Sequence, residues 1–200
     1  MHLSEILKKE LAAFSKRAKG KELDIVETGT IRGDGENYRI NDGWSTLTFA
    51  EWAKENGGQV TSIDLDVSTA KRVLEDRELL AQVTLMQGHS VDVLSTIVAQ
   101  AWGHVKKNNK GVPVSLDEGF FDVAFLDSDN NGALIFHEYL VVKKIVRSPG
   151  LIIVDDVDIT STEVVKGHEI LPWAQANNIP HRIIERAGDG YNTGVLVFQV

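Results

Sequence analysis

Short apolar runs alternate with segments of helical spacing along this chain, and that rhythm constrains its fold more than any other feature. The runs are Asp24 to Thr28, Gln59 to Asp64, Val83 to Met86, Phe121 to Leu126 and Leu151 to Val154. Each is too short for a helix and rich in β-branched or aromatic residues, so each reads as a buried strand. Between them the apolar residues fall three and four apart. Leu3, Ile6, Leu7, Leu11 and Phe14 form a first helical stripe, with Ser4 as the expected N-cap and Gly20 as the stop. Further helices are expected from Ser45 to Gly57 and over 67–80, 91–102, 132–146 and 162–177. Two closing runs, 181–186 and 194–200, flank Gly188-Asp189-Gly190 and read as a hairpin. Strands alternating with helices require a parallel sheet covered on both faces, and the hairpin adds one antiparallel strand. The prediction is an α/β, doubly wound, seven-stranded mixed sheet with helices on both faces.

A chain of 200 residues suits one domain spanning 1–200. There is no cysteine, which excludes disulfides, Cys-based zinc sites and a cysteine nucleophile. The net charge of −8 lacks the basic field that nucleic-acid binders use, so no nucleic-acid partner is expected. Lys16, Arg17, Lys19 and Lys21 form one basic cluster, read as the solvated end of the first helix. No apolar run reaches the ~20 residues that span a bilayer, and the first residues lack a signal-peptide layout. A cytoplasmic protein without a membrane partner is expected, and association into a homo-oligomer is left open.

In open α/β sheets ligands bind beyond the carboxyl ends of the strands. Those ends read Glu27-Thr28-Gly29-Thr30, Asp64-Leu65-Asp66, Gly88-His89-Ser90, Asp127-Ser128-Asp129 and Asp155-Asp156. An Asp after a strand is often only a helix cap, but acids at so many ends of one sheet point to a ligand rim. Asp64 is the most informative: an acid ending the second strand can accept both hydroxyls of a ribose. The glycine fingerprints that cradle a pyrophosphate or a nucleotide phosphate are absent. A nucleoside ligand without a diphosphate fits this combination, and S-adenosylmethionine is one.

At this point the sequence resembles the class I S-adenosylmethionine-dependent methyltransferases, a Rossmann-like family, and within them the catechol O-methyltransferase-like and related small bacterial enzymes. The resemblance rests on Val26-Glu27-Thr28-Gly29-Thr30, continued after an insertion by Gly43-Trp44-Ser45-Thr46, and on Ile63-Asp64-Leu65-Asp66. It extends through Gly88-His89-Ser90-Val91-Asp92, Phe121 to Asp127, and Ser148 to Val157. It implies cofactor contacts at Glu27, Gly29, Thr30, Gly43, Trp44, Ser45, Asp64, Leu65, Gly88, His89, Ser90 and Asp127. It also implies catalytic and Mg²⁺-holding roles for Asp127, Asp155 and Asp156, since hard oxygen ligands suit Mg²⁺. Two positions depart from the pattern. Asp156 stands where the family has Asn, and Asn130 stands where it has a catalytic Lys. His89 and His137 remain as imidazole bases, but the first reads more simply as an adenine-side contact and the second as a surface residue.

The expected activity is methyl transfer to a small-molecule acceptor, at oxygen. The alternatives are a nucleotide-sugar or NAD enzyme on a similar sheet, and a cofactor-binding module without catalysis. The polar, glycine-bearing segment from Ile31 to Asp42 is expected to be a lid that excludes water when it closes.

Overall fold

The computed structural model describes residues 1–35, 44–103, 119–158, 165–186 and 193–200. Seven strands form one sheet in the order β3-β2-β1-β4-β5-β7-β6. They are β1 (Leu23–Thr28), β2 (Gly58–Asp64), β3 (Val83–Gln87), β4 (Phe121–Leu126), β5 (Val146–Val157), β6 (His181–Glu185) and β7 (Gly194–Gln199). Strands β1 to β5 pair in parallel, whereas β7 runs antiparallel to both β5 and β6. The expected single reversed strand is therefore β7. It lies inside the sheet, not at its edge.

Six α-helices among the described residues cover the sheet: α1 (Leu3–Arg17), α2 (Ser45–Asn56), α3 (Ser68–Asp76), α4 (Ser90–Gly103), α5 (Gly132–Val142) and α6 (Gly167–Ala176). The apolar stripe of α1 is buried as its spacing requires, and it packs with Phe49, Leu74, Ile25, Phe125 and Val197 on one face of the sheet. The opposite face buries Val26, Ala124, Ile152 and Phe198 against α5 and α6. There Tyr139, 1% exposed, meets Trp173 and Phe198 at ring-centroid distances of 5.4 and 4.8 Å. Central strands contact helices on both sides, so β4 is buried at every residue and shows no polar alternation.

The elements differ from the sequence expectation mainly at their ends. Helix α1 starts at Leu3 with His2 at the cap position, so Ser4 lies inside it. The helix expected over 67–80 stops at Asp76, after which Glu78 takes a positive φ of 55°. The helix expected over 132–146 stops at Val142. Strand β5 is three times the length of its apolar run: it begins at Val146 beside Phe121 and continues through the acids to Val157. Ser148 and Pro149, which no strand propensity favours, fall where the register with β4 jumps from Phe121↔Val146 to Val123↔Leu151. The hairpin tip at Gly188-Asp189-Gly190 and most of the expected lid lie outside the described residues.

At the amino ends of the strands a compact ion network fixes the base of the sheet. Asp122, 2% exposed, accepts from Lys21 Nζ at 2.7 Å, from Arg147 Nη1 at 2.9 Å and from the backbone N–H of Asp24 at 3.0 Å. One member of the basic cluster, Lys21, thus has a structural partner.

Candidate active site

Two cavities open at the carboxyl edge of the parallel strands. The first, about 370 Å³, lies beyond β2, β3 and β4 and is bounded by Asp64, Leu65, Gly88, His89, Ser90 and Ser128. The second, about 220 Å³, lies beyond β1, β4 and β5 and is bounded by Trp44, Ser45, Asp127, Asp155, Asp156 and Lys166. Arg32 borders both. Its Nη2 donates to the carbonyl oxygens of Asp127 at 3.1 Å and Ser128 at 3.2 Å, so the guanidinium stands as a strut where the two cavities adjoin.

The first cavity gathers the residues expected around an adenosine. Asp64 closes β2 and accepts a hydrogen bond from the Thr30 backbone N–H at 2.9 Å. A carboxylate has about four acceptor sites, so capacity for ribose hydroxyls remains. Leu65 beside it is 67% exposed. An apolar side chain left open next to an acid at a cavity mouth suits a flat, partly apolar ligand. His89 is exposed on the same wall, and Ser90 starts α4.

Glu27 and Gly29 border neither cavity and act from beneath. Glu27 has no exposed surface. Its two carboxylate oxygens accept hydrogen bonds from Ser45 Oγ and, at 2.6 Å, from Ser62 Oγ. Burial pushes its pKa up to about 7 against the lowering effect of the Ser45, Ser62 and Thr46 hydroxyls. The acid thereby ties the start of α2 to β1 and β2. Gly29 has φ +84°, and a Cβ there would stand 2.3 Å from the Asp127 carbonyl oxygen. Only glycine lets the first turn pass this close to the end of β4. Gly43 lies outside the described residues.

Trp44 also departs from ordinary backbone, at φ 42° and ψ 59°. A bulky residue in the left-handed region is uncommon and marks an imposed conformation. It caps α2 without a side-chain hydrogen bond, is 5% exposed, and its buried Nε1 has no hydrogen-bond partner among the described residues.

The three acids of the second cavity converge as the sequence predicts, with one oxygen from each lying within 4.8 Å of the others. What the sequence reading missed is the pair of cations among them. Lys166, at the cap position of α6, places Nζ in hydrogen-bond contact with Asp127 Oδ1 and 3.6 Å from Asp156 Oδ2. Arg186 Nη1 lies 3.1 Å from both oxygens of Asp155 and 2.8 Å from Asp156 Oδ1. Burial, together with Asp156 and Asp127, pushes Asp155 up to about 7, opposed by Arg186 and Lys166. Burial works against the charge of Lys166, yet Asp127, Asp156 and Asp155 together hold its pKa above the usual lysine value. Asn130, at the position where the resemblance expects a lysine, accepts from the Val165 backbone N–H at 3.1 Å. The ammonium arrives from the next residue along that anchored segment.

Lys166 was not marked, because the helix expected over 162–177 places it inside the helix and not at its cap position. Nothing marked Arg186. Glu138 was also missed: fully buried on α5, it accepts from Thr28 Oγ1 at 2.8 Å. Its pKa is raised by burial, which outweighs the hydroxyls of Ser128, Ser90 and Thr28. His137 is exposed on α5, as expected for a surface histidine.

Comparison with known proteins agrees with this architecture. None of the curated proteins compared by sequence matches the chain. Among solved structures, monomeric WbdD superposes with a TM-score of 0.62 at 14% identity, covering 100% of this chain and 41% of that one. MycE, a methyltransferase of the mycinamycin biosynthetic pathway in complex with Mg and SAH, gives 0.55 at 13% identity, covering 96% of this chain and 48% of that one. An rRNA-methylase candidate from Clostridium thermocellum gives 0.55 at 15% identity, with coverage of 94% and 92%. The chain thus spans less than half the length of WbdD and MycE, and at these identities the likeness is one of fold. A family model described as "Methyltransferase domain" matches residues 40–157, more than half of the sequence. With the sheet order, the acid closing β2 and the paired cavities in place, the chain belongs to that methyltransferase-domain family, on the class I fold of the S-adenosylmethionine-dependent enzymes.

Proposed function

We propose that this protein moves a methyl group from S-adenosylmethionine to an oxygen atom of a small polar acceptor. The observation that carries the reading is the pair of adjoining cavities, one bordered by Asp64, Leu65 and His89 and the other lined with ionisable groups. Bound S-adenosylmethionine would supply an electrophilic methyl group on a sulfonium centre. In the first cavity Asp64 would hold the ribose hydroxyls, and Leu65, Gly88 and His89 would border the base. The unpartnered Nε1 of Trp44 and the amino end of α2 suit the carboxylate of the amino-acid portion. Arg32 must let that portion pass between the cavities, or turn to bind it.

In the second cavity Asp127 and Asp156 are partly open, whereas Asp155 is 1% exposed. An acceptor hydroxyl entering there meets carboxylates able to take its proton and the Lys166 ammonium, which would stabilise the resulting oxyanion. The mixture of three acids with Lys166 and Arg32 favours a polar acceptor over an apolar one. The net charge of −8 favours a small molecule over a nucleic acid.

The test is turnover. Purified protein incubated with S-adenosylmethionine and a panel of small hydroxylated compounds should release S-adenosylhomocysteine with at least one of them. Thermal shifts with S-adenosylhomocysteine but not with NAD are expected beforehand. A shift with NAD alone would reject the reading.

A further inference from the structure

The three acids that would hold a divalent cation are each already in contact with a positive charge the chain supplies. Lys166 Nζ contacts Asp127 and lies 3.6 Å from Asp156, the two less buried members of the trio. Behind them Arg186 Nη1 takes both oxygens of Asp155 and the second oxygen of Asp156 at 2.8 to 3.1 Å. Of the six carboxylate oxygens, only Asp127 Oδ2 has no such cation contact among those the structure gives. Magnesium demands near-octahedral oxygen ligands at about 2.0–2.1 Å. Here it would have to displace Lys166 or sit against like charge.

The placement of Lys166 is built. Its side chain is 6% exposed at the amino end of a helix, where the dipole disfavours a cation. The preceding residue is clamped: Val165 N–H donates to Asn130 Oδ1, and a Cβ on Gly132 would stand 2.6 Å from the Val165 carbonyl oxygen. The start of α5 therefore packs closely on the backbone that delivers the lysine. Asp156, at φ 50°, turns out of the β5 ladder where the register with β7 shifts, and so reaches the same ammonium.

We propose that Lys166, backed by Arg186, occupies the place of a divalent cation, so that the acid cluster is a metal-independent ion network and Lys166 is its positioning cation. The proposal rests on the methyltransferase reading only for the use of the site; the occupancy of the acids is a separate matter. Asn130 then acts through Val165 to keep the ammonium on Asp127.

The test is thermal denaturation of the cofactor-free protein with Mg²⁺, Mn²⁺ or EDTA, alongside calorimetric titration with S-adenosylhomocysteine. Wild type should show the same Tm in all three. Lys166→Gln empties the position without removing the acids, and should gain a saturable Mn²⁺-dependent rise in Tm through selective binding to the folded state. Lys166→Arg restores the charge and should lose that gain, as should Lys166→Gln combined with Asp127→Asn. A saturable metal-dependent rise in wild type, abolished by Asp127→Asn, would overturn the proposal. So would a Lys166→Gln protein that folds and shows no metal response. The wild-type arm needs no variant, so it decides even if a substitution unfolds the chain. Failure of S-adenosylhomocysteine to bind would reject the cofactor reading and leave the metal result standing.

Discussion

Glu27 shows how much one side chain can carry without lining a cavity. Held near a pKa of about 7 by burial, against 4.5 unperturbed, it binds a proton more tightly in the folded chain than in the unfolded one. The proton count then makes the folded state lose stability as pH rises from about 4.5 to about 7, because the unfolded carboxyl has already ionised. Glu27→Gln should flatten that part of the pH–Tm curve and raise Tm relative to wild type above pH 7. An unchanged slope would show that the proton is held elsewhere. Arg186 works in the opposite sense. Asp155 is buried, and removing its partner leaves an uncompensated charge, a loss of about 3–5 kcal/mol. Arg186→Ala should therefore fall by about that much in urea denaturation at pH 8. Asp64→Ala should weaken S-adenosylhomocysteine binding about tenfold or more, since a charged hydrogen bond contributes about 1.5–3 kcal/mol. The sequence exposed Asp64, Asp127, Asp155 and Asp156 because acids at strand ends break an apolar pattern. It hid Lys166 and Arg186 because long cations are ordinary on any surface, and only the fold brings them beneath one. It grouped Glu27 and Gly29 with residues that line the cavities, whereas both lie beneath them, since a motif gives proximity in the chain but not depth.

Among the elements, the joint between β1 and its loop is the most constrained. The Gly29 N–H donates to the Ile63 carbonyl at 2.9 Å, and its φ of +84° and near contact with Asp127 exclude a side chain. Gly29→Ala should cost more than the ~1 kcal/mol of a compatible glycine replacement and should lower cofactor affinity, because Thr30 and Asp64 move with the turn. Equal affinity in the variant would show that the turn does not position Asp64. The strands themselves were legible because burial on both faces makes their runs continuously apolar, as in β4. The span of β5 was not, since its polar start and acidic finish are held by β4 and β7 and not by their own preference. The start of α6 was equally obscure: Thr160, Ser161 and Thr162 are all cap-type residues, yet the helix begins at Gly167, and the anchor at Val165 comes from Asn130.

At the scale of the molecule, the alternation of runs fixed a parallel sheet, but the position of the closing strands depended on contacts that span the chain. Residues 194–199 insert between β5 and β6, so deleting 194–200 should open the sheet and leave β6 without its neighbour β7. Such a protein should be insoluble or molten by near-ultraviolet circular dichroism, and a cooperative transition at the wild-type Tm would contradict the topology. The same insertion sets a timetable. During synthesis β5 emerges with one side paired to β4 and the other open, and β6, which ends at Glu185, waits for β7, which runs from Gly194 to Gln199. An open apolar edge templates association with other chains. Each nascent molecule therefore passes through an interval in which its three clustered acids are already made, the arginine that neutralises two of them has just appeared, and the strand that closes the sheet around them is still to come.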